Sequence, residues 1–186
     1  MRIISGDYKN KKLFLPKNKK TRPLRDMVKE SIFNLIEHSK KIKFNLNNSL
    51  VLDLFSGSGS FGIECLSRKA KKVIFLESDS DALETLEKNL KLLENNSNYE
   101  TIKTDFFRYF DLKNNLNCKF DIIFIDPPYK ELRINEIIGI IKKQKILSKE
   151  GIIIIHRHKK DNLKFTNNIN IFENRNYGIS NIFFIN

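Results

Sequence analysis

The chain has 186 residues, one domain of ordinary size or one domain with a short appendage, and a core that large needs no disulfide or metal staple. It carries 34 Lys and Arg against 22 Asp and Glu, a formal charge of +12. That balance favours a polyanionic partner, nucleic acid or an anionic membrane surface, while no run of about 18 apolar residues is present to span a membrane.

Part of the charge is compositional. Lys, Ile and Asn number 26, 26 and 22, the skew of an AT-rich coding sequence, so distribution says more than the total. Residues 1–43 hold 13 basic residues against 4 acidic, and the rest of the chain holds 21 against 18. The excess is an N-terminal feature. Met1 to Pro16 lacks the apolar stretch and cleavage site of a signal peptide, so a cytoplasmic location is expected. Cys65 and Cys118 lie far apart, form no metal-ligand spacing and read as reduced thiols.

In chain order, Arg2–Ser5 and Lys11–Leu15 read as two short strands around Gly6-Asp7 turn chemistry. Lys17 to Lys20 leads to a helix punctuated at its start by Thr21-Arg22-Pro23, with Val28, Ile32, Leu35 and Ile36 at a helical period. Asn45 to Ser49 is a polar break. It divides a basic extension, residues 1–45, from a main domain, residues 46–186. Strand-length apolar runs follow at Leu50–Phe55, Val73–Glu77, Tyr99–Thr104, Phe120–Ile125 and Gly151–His156. Helical segments separate them at Ser60–Arg68, Ser80–Leu93, Phe106–Phe110 and Leu132–Leu147. This alternation predicts an α/β fold with a mainly parallel sheet covered on both faces. Ile169–Glu173 and Ile179–Ile185, joined by Asn174–Gly178, predict a closing antiparallel hairpin, which makes seven strands. No long apolar surface helix demands a partner, so a monomer is expected.

Leu50 to Gly62 reads L-V-L-D-L-F-S-G-S-G-S-F-G, a G-x-G-x-x-G loop at Gly57, Gly59 and Gly62 between a strand and a helix. Glu77 follows 20 residues after Gly57. A naive reading is a dinucleotide fingerprint with the acid on a ribose hydroxyl. Asp53 argues against that, because a carboxylate beside the loop repels a pyrophosphate. It suits a cationic ligand without phosphate, such as S-adenosylmethionine, whose amino group and sulfonium are positive. Glu77 would take the ribose hydroxyls. Asp105 would accept from the adenine amine while Phe106 covers the ring. Asp53, Glu77, Asp105 and Asp126 all fall at strand ends, where ligands bind in open parallel sheets.

Phe120 to Tyr129 reads F-D-I-I-F-I-D-P-P-Y. Pro127 and Pro128 fix the backbone and remove two N–H donors, leaving carbonyls to accept. With the Asp126 carboxylate and the flat Tyr129 ring they make a site for a planar base bearing an exocyclic amine. Such an amine is a poor nucleophile, its lone pair delocalised into the ring. Acceptors on its N–H bonds favour a pyramidal nitrogen that can attack a sulfonium methyl in line.

The Asp-Pro-Pro-Tyr segment and the D-L-F-S-G-S-G run together resemble the amino-group methyltransferases of the Rossmann-like S-adenosylmethionine class. More closely, the chain resembles the bacterial 16S ribosomal RNA guanine-N2 methyltransferase family. The matching residues are Arg2-Ile3-Ile4-Ser5-Gly6, Thr21-Arg22-Pro23, Val28-Lys29-Glu30 and Phe33-Asn34. Val51 to Phe55 with the glycine loop, Leu66-Ser67-Arg68, the Asp126 segment and Tyr177-Gly178 complete the match over essentially the whole chain. The resemblance implies S-adenosylmethionine as cofactor, held around Asp53, Phe55, Ser56, Gly57, Gly59, Glu77, Ser78, Asp105 and Phe106. It implies a target guanine amine at Asp126, Pro127, Pro128 and Tyr129. It implies 16S rRNA as partner, within the small ribosomal subunit or an assembly intermediate, gripped by Lys11, Lys12, Lys19, Lys20, Arg22 and Arg25.

Two positions depart from the family's pattern. Lys69 stands where Gly normally precedes Ala70, so a helix end loses its αL-friendly residue. The fifth strand ends in His156-Arg157-His158 where the family usually has a Glu. These two histidines share a strand face but lack a third ligand nearby, so no metal is expected, and His38 reads as solvated. The competing functions are an adenine-N6 or cytosine-N4 DNA methyltransferase and a non-catalytic RNA-binding relative. Only about 30 residues follow the fifth strand, too few for a DNA target-recognition region.

Overall fold

A computed structural model describes residues 1–16, 24–94, 96–112, 118–161 and 163–186. Its centre is a seven-stranded sheet made of β1 (Leu50–Leu54), β2 (Lys72–Glu77), β3 (Tyr99–Lys103), β4 (Phe120–Ile125), β5 (Leu147–His158), β6 (Ile171–Tyr177) and β7 (Ser180–Ile185). The spatial order is β3-β2-β1-β4-β5-β7-β6. The five strands from β3 to β5 are parallel, and β7 and β6 close the sheet antiparallel. Rossmann-like α/β architecture with a terminal hairpin is therefore the fold. Chain order runs outward from β1 through β2 to β3 and returns to β4 on the other side of β1. Strand order thus reverses between β1 and β4, which opens a crevice at their carboxyl ends.

The helices are α1 (Asp26–His38), α2 (Ser60–Ser67), α3 (Ser80–Leu90), α4 (Phe106–Leu112) and α5 (Ile134–Gln144). Side chains alternate across a strand, and the core follows that period. Val51, Val73, Phe75, Ile122 and Phe124 pack with α1, α2 and α3 on one face. Leu52, Leu54, Ile74, Leu76, Ile123 and Ile125 pack with α4 and α5 on the other. Burial on both faces explains why these strands read as unbroken apolar runs. Among the described residues, no helix is long and apolar enough to cross a membrane.

Three elements differ from their sequence expectation. The N-terminal strands reduce to one antiparallel bridge, Arg2 with Lys12. The reason lies in α2. Glu64 accepts from the Ile4 and Ser5 amides at 2.7 and 2.9 Å, and the Ser67 carbonyl accepts from Asp7 at 2.8 Å. These amides are bound by a helix, while backbone hydrogen bonds from Ile3 to Lys11, Asn10 to Ile3 and Leu13 to Met1 still join the two arms. Ile3 and Leu13 still enter the same core as α1 and α2. The fifth strand extends on both sides of Gly151–His156, because Leu147 pairs with Phe120 and His156 to His158 pair with β7. The terminal hairpin turns at Gly178-Ile179, not over Asn174–Gly178, since β6 continues to Tyr177. Its polar run Glu173 to Asn176 belongs to an edge strand, where charged side chains are the usual guard against further pairing. The helix start expected at Thr21-Arg22-Pro23 lies outside the described residues, and α1 begins at Asp26.

Candidate active site

The loop after β1 is shaped by alternating left-handed residues, Phe55 at φ +59°, Gly57 at +56° and Gly59 at +79°. A Cβ at Gly59 would collide with Leu86 of α3, whereas one at Gly57 would meet nothing within 4 Å. Gly57 therefore faces open space that a ligand can fill, while Gly59 admits the close approach of α3. Phe55 holds a conformation that is costly for a bulky residue, and its ring lies against Phe106 at 6.4 Å between centroids. The Ser56 hydroxyl locks the loop by donating to the carbonyls of Asp53 and Leu76 at 2.7 and 3.0 Å.

This loop borders a cavity of about 540 Å³ at the switch between β1 and β4, a size that suits a cofactor or small ligand. Asp53, Glu77 and Asp126 line it together with Phe55, Ser56, Gly57, Ser78 and the Asp126–Tyr129 segment. Asp53 is only 2% exposed, and its Oδ2 accepts from the Gly62 amide at 3.0 Å. Burial pushes its carboxyl well above the ordinary range, the Gly62 hydrogen bond opposes this, and the charges of Asp126 and Glu77 push it further up. A cation bound beside these three acids would offset the repulsion among them.

Glu77 is held by three amides. Its Oε2 accepts from Gly57 at 2.7 Å, and its Oε1 accepts from Ser78 and Asp79 at 2.8 Å each. The Gly57 amide is the donor that a phosphate at a glycine loop would require, and here a carboxylate already takes it. The loop chemistry therefore disfavours a dinucleotide more strongly than Asp53 alone.

Asp105 and Phe106 stand apart from the cavity lining. Asp105 is exposed and caps α4, its Oδ1 accepting from the Phe107 amide at 2.9 Å. Phe106 is buried among Phe55, Phe107 and Phe110. Phe55, Phe61, Phe124 and Tyr129 are the aromatic residues that line the cavity.

The Asp126 segment leaves the end of β4 along the opposite wall. Tyr129 is 44% exposed, and its ring meets the His158 ring edge-on at 5.5 Å. Buried Arg157 reaches under the segment, with its terminal nitrogens 3.4 Å from the carbonyls of Pro128 and Tyr129. Its Nε pairs with Asp161 Oδ2 at 2.9 Å, an ion pair too misaligned to be a hydrogen bond. His156 joins Asp126, 2.9 Å from Nδ1 to Oδ1, and joins Ser180, 2.9 Å from Nε2 to Oγ. The His158 Nδ1 accepts from the Lys160 amide, so the two histidines have separate partners. In the sequence, His156 and Arg157 stand out as a departure at the strand end but without these partners, and Ser180 is not singled out. The usable signal was the point where the apolar runs of β4 and β5 stop together, which aligns Asp126 with His156.

The basic residues divide. Lys12 and Arg25 are exposed, and Arg25 directly follows Leu24, which lines the cavity with Pro16. Lys11 turns inward, donating to the Leu92 carbonyl at 2.7 Å and pairing with Glu94 at 3.2 Å. Lys19, Lys20 and Arg22 lie outside the described residues.

Comparison with known proteins agrees with this geometry. A family model described as conserved hypothetical protein 95 matches residues 1–186. The ribosomal RNA small subunit methyltransferase D of Buchnera aphidicola subsp. Acyrthosiphon pisum is 35% identical over 173 residues, 93% of this chain and 86% of that protein. The Haemophilus influenzae protein of the same name is 32% identical over 180 residues, 96% of this chain and 90% of its own length. Among solved structures, a conserved hypothetical protein from Streptococcus pyogenes is 28% identical with a TM-score of 0.73, covering 86% of this chain and 95% of that one.

Proposed function

The chain belongs to the conserved hypothetical protein 95 family, and on that premise we propose that it is an S-adenosylmethionine-dependent rRNA methyltransferase acting on the N2 amine of a guanine in 16S rRNA. The single observation that carries this reading is the cavity at the β1/β4 switch, which opposes an acidic wall to an Asp-Pro-Pro-Tyr wall. Relatives over most of the chain bear the name ribosomal RNA small subunit methyltransferase D, which supports rRNA as the substrate class.

The residues present fit the cofactor. Asp53 and Glu77 supply negative charge where an ammonium and a ribose would lie, and Gly57 leaves its Cβ space open. When bound, S-adenosylmethionine supplies an electrophilic methyl carbon on a cationic sulfur, which takes back the bonding pair as the amine nitrogen closes its bond to carbon. Asp126 accepts one N–H of that amine and so turns the nitrogen lone pair toward the methyl. Pro127, lacking its own N–H, presents a carbonyl for the second N–H. Tyr129 offers an exposed ring for the base to stack on, an interaction of about 1–3 kcal/mol. The nitrogen gains positive charge as it gains the methyl, so its proton leaves readily and no strong base is needed.

Residues 1–45 act as the RNA arm in this reading, with Lys12 and Arg25 on phosphates and Pro16 and Leu24 at the cavity rim. A monomer would dock on the small ribosomal subunit or an assembly intermediate. The test is to incubate the protein with methyl-labelled S-adenosylmethionine and, separately, 16S RNA, assembled small subunits and duplex DNA, and then to map the labelled nucleoside. Label in N2-methylguanosine from RNA or subunits is expected. Label on adenine, or on DNA alone, overturns the reading.

A further inference from the structure

The ladder between β4 and β5 ends at Ile125 and Ile155, while β5 runs on beside β7. Ile125 pairs with Ile155 in their parallel register, so the next residues, Asp126 and His156, leave the core side by side. The two side chains are 25% and 16% exposed, at the edge of the cavity. An ionised carboxylate only accepts, so the His156 Nδ1 carries hydrogen in both charge states of the ring. The Ser180 hydroxyl serves both states as well. It donates to a bare Nε2 and accepts from a protonated one. Both ring nitrogens are therefore engaged by the protein, and the ring acts on a substrate only through Asp126. The Oδ2 of Asp126 has no hydrogen-bond partner among the described residues, and it is the oxygen left for a ligand.

We propose that His156 is a positioning residue for the transfer: it fixes the Asp126 carboxylate so that Oδ2 meets the target N–H, and its charge state sets how strongly that oxygen accepts. The inference rests on the methyltransferase reading and assigns a role to the strand end where this chain departs from the Glu usual in the family it resembles. With a neutral ring, Asp126 offers a full negative charge to the amine. With an imidazolium, the pair is neutral and the acceptor is weaker.

Four groups face the ring: Asp126 from the end of β4, Ser180 from β7, Arg157 beside it on β5, and Asp161 from the following turn. Burial opposes the charged ring, but the charge and hydrogen bond of Asp126 outweigh it. Arg157 opposes and Asp161 favours the charged form, leaving the imidazole pKa raised. The pair therefore stabilises the fold in full below the ordinary imidazole pKa and fades as pH rises through the raised value. Activity moves the opposite way, rising through the same titration.

The test measures single-turnover methyl transfer at saturating cofactor from pH 5.5 to 8.5, with cofactor affinity measured alongside. The wild type should gain about tenfold per pH unit on its acid side and then level off. His156→Asn, whose amide nitrogen takes the place of Nδ1 but does not titrate, should keep most of the plateau rate and lose the acid limb. His156→Ala should lose about tenfold or more in plateau rate and show no acid limb, with cofactor affinity within about twofold of wild type. An Asn variant that keeps the acid limb, or an Ala variant as fast as wild type, overturns the inference. A ring titration followed by NMR is independent of turnover. His156 should titrate above the ordinary imidazole value, and the shift should collapse in Asp126→Asn, while an unmoved titration overturns the pairing. A wild type that methylates no RNA removes the methyltransferase reading and the inference with it, an outcome distinct from an active wild type matched by His156→Ala.

Discussion

Among the described residues, one cluster of buried charge lies between α1 and α2 and another at the strand ends, and they obey opposite rules. Glu64 of α2 is wholly buried and every oxygen is taken twice. Its Oε2 meets the Ile4 amide at 2.7 Å and Lys29 Nζ at 3.4 Å, and its Oε1 meets the Ser5 amide and Arg68 Nε at 2.9 Å each. Arg68 goes on to Glu37 at 2.7 Å, so two cations meet two anions. Burial pulls the Lys29 pKa down, and Glu64 and Asp26 pull it back up. The strand-end cluster is neither balanced nor closed. Asp53, Glu77, Asp79 and Asp126 line one cavity, with Lys130 and Arg157 as its lining cations and His156 beside Asp126. A closed, neutral cluster ties the N-terminal segment to the domain, whereas an open, acidic one waits for a ligand cation. Polar burial alone does not mark a reactive site. What marks it is an acid whose oxygens the protein has not used up.

The sharpest way to break this comparison is Asp126→Ala. Removing the acceptor should slow methyl transfer by about 10²–10³-fold while cofactor affinity changes by a few-fold at most. The melting temperature should hold at pH above the raised imidazole pKa, where the His156 pair no longer contributes. Single-turnover kinetics beside calorimetric titration of the cofactor make the measurement. Equal losses in rate and affinity would place Asp126 in the cofactor's shell and not the amine's.

Glu64→Gln attacks the closed cluster and should act on stability. It leaves Lys29 and Arg68 facing a neutral amide in a buried site. Uncompensated buried charge of that kind costs about 3–5 kcal/mol, readable as a lower urea midpoint. Transfer per folded molecule should stay at the wild-type rate. A variant with wild-type stability and lost activity would show that the α2 cluster is catalytic and the contrast false.

The same contrast explains what the sequence disclosed. Residues buried on both faces of a parallel strand are mostly apolar, so β1 and β4 announced themselves, and the acids near their carboxyl ends marked the cavity. Asp53, Glu77 and Asp126 were legible for that reason. Asp105 and Phe106 follow the same pattern, yet they serve as a cap and a core ring, because a strand-end acid followed by a helix is also what an N-cap looks like. The Asp126–His156–Ser180 chain was not legible. It needs β7 to fold back against β5, and nothing local to His156 encodes a contact 24 residues away. The N-terminal hairpin was over-read for a similar reason, since a carboxylate on α2 takes the Ile4 and Ser5 amides.

Lys69 was read from sequence as a missing glycine, and the helix end shows what that costs. The Lys69 amide donates to Leu66 and the Ala70 amide to Cys65, at 3.0 Å each, which closes α2 in a Schellman motif. That motif requires a left-handed residue, and Lys69 supplies it at φ +69°, a conformation about 1–2 kcal/mol worse for a residue with a Cβ. The side chain offers little in return, an exposed pair with Asp7 at 3.8 Å that contributes on the order of 0–1 kcal/mol. Lys69→Gly should therefore stabilise the protein by about 1 kcal/mol, a rise in Tm of about 2–4 °C for a chain of this size. Transfer should be unchanged, because the motif adjoins Arg68 and the closed cluster and lies away from the cavity. A fall in Tm would mean that the Asp7 pair, which ties the N-terminal turn to α2, outweighs the backbone strain, and that the closed cluster extends further toward the surface than its buried members indicate.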